Sequence, residues 1–167
     1  IRDRPNVERV TFTKKKKTVV CPVPLVPLAD THAHLLSFWS KEVPETLERA
    51  KEAGVDLLVT VFDPIADKRS VTDYSDWLTR EILPMRDIPQ VEYLAGVHPY
   101  GAPDYTDDIH DQIVAALDDP LCVGIGEIGL DYHMDYDDDV APAPHEVQID
   151  CMARQLEVAV RRNVPVE

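Results

Sequence analysis

Between Val55 and Phe62 the chain has almost no polar residue beyond Asp56 and Thr60. Side chains alternate across a strand, so this stretch presents apolar groups on both faces and needs cover on both. That requirement favours a parallel sheet flanked by helices, and the neighbouring segments supply them. Before it, Pro44 opens a helix in which Leu47, Ala50, Lys51 and Ala53 recur at helical spacing, and Gly54 is placed to end it. After it, a helix expected over 73–85, with Trp77, Leu78, Ile82 and Leu83, leads to a strand over 91–97. Another over 107–117, with Ile109, Ile113, Val114 and Leu117, leads to a strand over 121–125. A longer helix over 144–162 leads to Val164-Pro165-Val166. With an extended segment over 28–34, five strands alternate with four helices, which points to a parallel α/β sheet, open or closed.

The polar residues distinguish the two forms. His32 and His34 follow the first of these strands, Asp63 the second, His98 the third and Glu127 the fourth. Reactive side chains gathered at the C-terminal ends of successive strands are the arrangement of a (β/α)8 barrel active site. An open sheet usually binds through a glycine-rich phosphate loop, and no GxGxxG or P-loop pattern is present. The expected fold is therefore a TIM-type barrel. In an extended segment His32 and His34 point the same way and can share one metal ion. On the fourth strand, Val123, Ile125 and Glu127 are expected to share one face and Cys122, Gly124 and Gly126 the other. The small residues would then admit a close helix outside, with Glu127 projecting into the barrel mouth. Two imidazoles and a carboxylate make a mixed nitrogen and oxygen set suited to Zn, Mn or Mg.

Composition narrows the partners. The chain has 167 residues, of which 17 are basic and 31 acidic, for a formal charge of −14. Broad phosphate neutralisation is the work of basic proteins, so attraction for a phosphate-bearing substrate has to come locally, from bound divalent cations. No apolar run reaches the ~18 residues of a membrane span, so no membrane partner is expected. Charges at Arg2, Asp3 and Arg4 stand where a signal peptide would need an apolar segment, and a cytoplasmic location is expected. Cys21, Cys122 and Cys151 are odd in number and lack CxxC spacing, which reads as reduced, buried thiols. Residues 1–29 read as an extension and linker: two short strands about the turn Lys14 to Lys17, then the proline-rich stretch from Cys21 to Pro27. Lys14 to Lys17 and the acidic run Asp135, Asp137, Asp138 and Asp139 read as solvated loops. After His34, Leu35, Leu36, Phe38 and Trp39 form an apolar loop that walls a pocket or covers a core edge.

Three segments, Asp30-Thr-His-Ala-His34, Gly96-Val-His-Pro99 and Gly124-Ile-Gly-Glu-Ile-Gly-Leu-Asp-Tyr132, closely resemble the signature motifs of the TatD-type metal-dependent deoxyribonucleases, in the amidohydrolase superfamily. Gln148, Gln155-Leu156 and Val164-Pro165-Val166 match that family's spacing between its fourth and fifth strands. The resemblance covers residues 28–167. It implies a TIM-type barrel and hydrolysis of DNA phosphodiester bonds through a metal-activated water, with one or two divalent ions (Mg, Mn or Zn) and a 3′ exonuclease as one known mode. Single strands or 3′ ends of DNA are the implied partner. Carried over by position, His32, His34 and Glu127 would bind metal, Glu127 bridging to a second ion, and Glu127 and His98 would be the catalytic residues. His98, Tyr100 and Asp131 would contact substrate or support the site, Asp131 by holding the Glu127 loop. Tyr100 stands where many relatives have a second histidine, and Met152 where an aromatic residue is usual.

The family's remaining ligands, two histidines and an aspartate, come from later strands and are not in this sequence. Residues 30–167 are accordingly expected to be the N-terminal half of a barrel of roughly 250 residues or more, with the C-terminal half required for activity. Two alternatives stand beside the nuclease. One is another superfamily hydrolase acting on a small ester, amide or phosphotriester, whose relatives often carry a carboxylated lysine in place of Glu127. The other is an inactive half-barrel serving as an interaction piece.

Overall fold

The computed structural model describes residues 11–37, 42–134 and 141–167. Phe38, Trp39 and the acidic run Asp135 to Asp139 lie outside the described residues, as does Val10. A short antiparallel hairpin comes first, β1 (Thr11–Lys14) with β2 (Lys17–Val20). Its turn residues Lys15 and Lys16 both have positive φ, 48° and 63°, which gives the tight two-residue connection the twist of its strands.

The main sheet follows, with β3 (Leu28–Ala33), β4 (Val55–Phe62), β5 (Gln90–Ala95) and β6 (Cys122–Ile125). All pairings are parallel and the spatial order is the chain order. Beyond β6, Val166 adds a parallel bridge to Ile125, with Ile125 N–H donating to the Pro165 carbonyl and Glu167 N–H to that of Ile125. The crossovers carry α1 (Val43–Glu52), α2 (Val71–Trp77, running into a π-turn at Leu78–Ile82), α3 (Asp107–Ala116) and α4 (His145–Arg162). Pro44 lies in the first turn of α1, and Gly54, at φ 95°, follows its C-cap as expected. Ser70 and Thr106 cap α2 and α3 by accepting from Asp73 N–H and Ile109 N–H, which satisfies donors the first turn leaves open. Among the described residues no helix is long and apolar enough to cross a membrane.

The core lies between the sheet and its helices. Phe62 stacks on Tyr74 at 4.3 Å between ring centroids, and Tyr93 meets Tyr74 edge-on at 5.3 Å. All three rings are fully buried. Leu58, Thr60 and Phe62 of β4 face this layer, Thr60 receiving a hydrogen bond from the Tyr74 hydroxyl. Val59, Val61 and Leu94, buried but outside that cluster, line the opposite face.

One expectation about β6 is corrected here. Ile125 pairs with Ala95 and joins the helix-side core, whereas Gly124 and Gly126 fall on the Leu94 face: a Cβ on either would lie about 3 Å from the Leu94 methyls. The glycines make room for the Pro165–Glu167 segment, 2.6 Å from a Cβ at Gly124, and not for a helix. A register shift between the Tyr93 and Leu94 pairs and the end of the strand at Ile125 break the alternation on which the expectation rested. Glu127 therefore reaches the opposite face from a loop, not from the strand.

Candidate metal and phosphate site

Four imidazole and carboxylate side chains come from three strand ends. His32 sits on β3 and His34 one residue past it, and their Nε2 atoms are 3.1 Å apart. Glu127 stands two residues beyond β6. Its Oε2 lies 3.5 Å from His32 Nε2 and 3.6 Å from His34 Nε2. One ligand atom from each of the three falls within 4.8 Å of the others. His98, three residues beyond β5, places Nε2 3.8 Å from the other carboxylate oxygen, Oε1. These two strand ends approach closely because Gly96 has no Cβ, which would sit 2.7 Å from the Gly126 backbone.

The donor chemistry fits a cation. Two imidazole nitrogens and a carboxylate oxygen converge on a common point, and among the described residues no lysine or arginine pairs with Glu127. Such a convergence needs a proton or a metal ion to offset it. His98 is built differently. Its Nδ1 accepts from Tyr100 N–H at 3.2 Å, so the neutral ring carries its proton on Nε2. That nitrogen faces the site as a hydrogen-bond donor, suited to an anionic oxygen rather than to a metal.

Around these groups the backbone is pinned by buried polar side chains. Asp63, at the end of β4, accepts from Ile65 and Ala66 N–H through Oδ1 and from His98 N–H at 2.9 Å through Oδ2. Its carboxylate thus ties the β4 and β5 ends together. Gln155 and Gln148 of α4, two turns apart and fully buried, do the same from behind. Gln155 takes both the N–H and the carbonyl of Val97, at 2.8 and 3.2 Å, next to His98. Gln148 takes both the N–H and the carbonyl of Asp131, at 2.8 and 2.7 Å. The Asp131 carboxylate itself accepts from His133 N–H, and the Tyr100 hydroxyl donates to the His133 carbonyl at 3.0 Å. A cleft of about 390 Å³ opens here, lined by His34, Asp63, Asp67, His98, Tyr100 and Glu127 among others. Burial raises the Asp67 carboxyl above the usual range, against the pull of the Asp63 N–H it accepts and of His34 nearby.

The structure brings His32, His34, His98 and Glu127 together. Tyr100 and Asp131 lie one layer out. The sequence reading gave no role to the glutamines, which it saw only as a family spacing, and did not single out Glu167. The side chain of Glu167 enters beside His32, Oε2 to Nδ1 3.2 Å.

Comparison with known proteins places the chain in a family. A family model described as TatD related DNase matches residues 29–167. This chain belongs to the TatD-related DNase family. An uncharacterized metal-dependent hydrolase of Bacillus subtilis, YabD, is 30% identical over 141 residues, 83% of this chain and 49% of the relative. A 3′-5′ ssDNA/RNA exonuclease, TatD, of Yersinia pseudotuberculosis is 29% identical over 77% of this chain and 44% of its own length. The crystal structure of the TatD homologue YjjV from Escherichia coli superposes with a TM-score of 0.60 at 26% identity, over 83% of this chain and 48% of that one. This TatD-related chain spans about half the length of the curated relatives it matches, and the hairpin β1–β2 precedes the matched region.

Proposed function

We propose that residues 28–167 are the N-terminal part of a (β/α)8 barrel that hydrolyses phosphodiester bonds of DNA with the help of one or two divalent ions. The barrel reading rests on sheet order. Four parallel strands and a fifth bridge stand in chain order, whereas a doubly wound open sheet reverses its order at a switch point. The later strands would close the barrel and complete the ligand set, and the hairpin β1–β2 with the linker ahead of Leu28 is an extension outside it. Free Cys21, Cys122 and Cys151 fit a reducing, cytoplasmic setting.

The convergence of His32, His34 and Glu127 within 4.8 Å carries the metal reading. A divalent ion there supplies Lewis acidity, lowering the pKa of a bound water and offsetting phosphate charge. The chain's own groups do the rest. His32 and His34, from a rigid strand end, and Glu127 would hold such an ion. The His98 Nε2–H would donate to a non-bridging phosphate oxygen, Tyr100 lines the cleft beside it, and Asp131, held by Gln148, would support the loop that carries Glu127. Glu127, where other superfamily hydrolases often use a carboxylated lysine, favours the phosphodiester substrate over the ester or amide alternative. Single-stranded DNA and 3′ ends are the first substrates to try, since one relative is named for them.

The test is cleavage of short single-stranded DNA by the protein as its gene encodes it, with Mg, Mn or Zn added. Metal-dependent cleavage that disappears in a His32→Ala, His34→Ala double variant is the expected result. A folded parent that binds metal and leaves DNA and RNA intact would rule out the nuclease.

A further inference from the structure

We infer that Glu167 is a positioning residue that sets the orientation and tautomer of His32. The inference rests on the metal reading above and deepens it. Glu167 follows Val166, which bridges to Ile125 of β6, and its backbone is fixed by two hydrogen bonds, N–H to the Ile125 carbonyl and carbonyl from Ile128 N–H. Its Cβ lies against Gly126, on the face that carries Leu94 and away from the helices. The side chain is thereby directed toward His32, with 31% of its surface left exposed.

Its Oε2 is buried and has no aligned hydrogen bond among the described residues. A buried carboxylate oxygen without a donor is costly, so a donor is to be expected close by. The ion-pair contact it makes is with His32 Nδ1 at 3.2 Å. A rotation of the imidazole would align that N–H with the oxygen. The geometry separates the two ring nitrogens cleanly: Nε2 faces His34 and Glu127, and Nδ1 faces Glu167. Glu167 is also not part of the donor set whose atoms share a 4.8 Å neighbourhood. It is therefore placed as the partner of a ligand and not as a further ligand of the same ion. A carboxylate on Nδ1–H holds the proton there and leaves the Nε2 lone pair free to coordinate.

Such partners are worth about 10- to 100-fold in metal affinity. The experiment compares zinc binding, by chelator competition, and imidazole ¹H–¹⁵N spectra of the zinc-loaded protein as its gene encodes it. The parent is set beside Glu167→Leu and Glu167→Gln. The expected result is a slowly exchanging Nδ1–H resonance for His32 in the parent and affinity about 10- to 100-fold weaker in the leucine variant, with that resonance broadened by exchange. The glutamine variant, which keeps an acceptor without the charge, should recover part of the affinity and retain the resonance at a shifted position. It also carries the test if the leucine variant fails to fold. A parent that binds zinc, with either variant matching its affinity and its His32 resonance unchanged, would overturn this inference alone. A parent that binds no zinc would overturn the metal reading with it.

Discussion

The two sides of the sheet solve opposite problems. On the helix side, Phe62, Tyr74 and Tyr93 stack with no exposed surface, and burial raises both tyrosine hydroxyls well above their ordinary range. Their polar atoms are spent locally: Tyr74 on Thr60 and Tyr93 on Asp119. At the strand ends, His32, His34, His98 and Glu127 keep 31–47% of their side-chain surface exposed and turn their polar atoms toward one another. The first region gains from excluding everything else, and the second gathers polar groups that a proton or an ion can join. The packed core and the candidate site therefore use different residues, joined by the clamps of Asp63, Gln148 and Gln155.

Substitutions should separate the two. Removing both His32 and His34 should weaken metal binding by more than the ~100-fold that loss of an outer partner can cost, with little change in melting temperature measured without metal. Phe62→Ala should do the reverse, losing about 3–5 kcal/mol of stability in denaturant unfolding while metal affinity of the folded fraction stays near the parent's. A variant at the junction should blur the distinction. Asp63→Ala strands three backbone N–H groups and should cost about 1–3 kcal/mol, and it should also lower activity by loosening His98. Asp63→Asn should restore part of both, read by chemical denaturation beside the cleavage assay.

The buried thiols give a pH-dependent check on the helix side. Burial raises Cys122 and Cys151 from about 9 to about 11. The folded state then holds these protons more tightly than the unfolded one. Their contribution to stability is intact below about pH 9 and is lost as the pH rises toward 11. At pH 8 each should react with a thiol reagent about 100-fold more slowly than an ordinary thiol, because so little thiolate is present. The smallest effect is at a helix start: Thr106→Ala should cost about 1 kcal/mol and leave the site untouched.

Much of this was legible in the sequence. The doubly apolar stretch Val55–Phe62 gave the parallel sheet because burial on two faces leaves few other solutions. His32 and His34 were legible because the distance between them is set by local strand geometry alone. Glu127 was found for its motif, yet the reasoning from alternation on β6 failed: a register shift and an early strand end are decided by neighbouring strands. The clamps were invisible for a related reason. Gln148 and Gln155 look like ordinary helix surface residues until the tertiary fold sets Asp131 and Val97 against them, and Glu167 gains meaning only when a fifth strand brings it beside the first.

The most direct measurement is anomalous diffraction from manganese-soaked crystals of the protein as its gene encodes it. The account predicts a manganese peak within coordination distance of His32 Nε2, His34 Nε2 and Glu127 Oε2 together, with His98 turned to donate rather than to coordinate. Manganese bound elsewhere, with His32, His34 and Glu127 hydrogen-bonded only to one another, would contradict it.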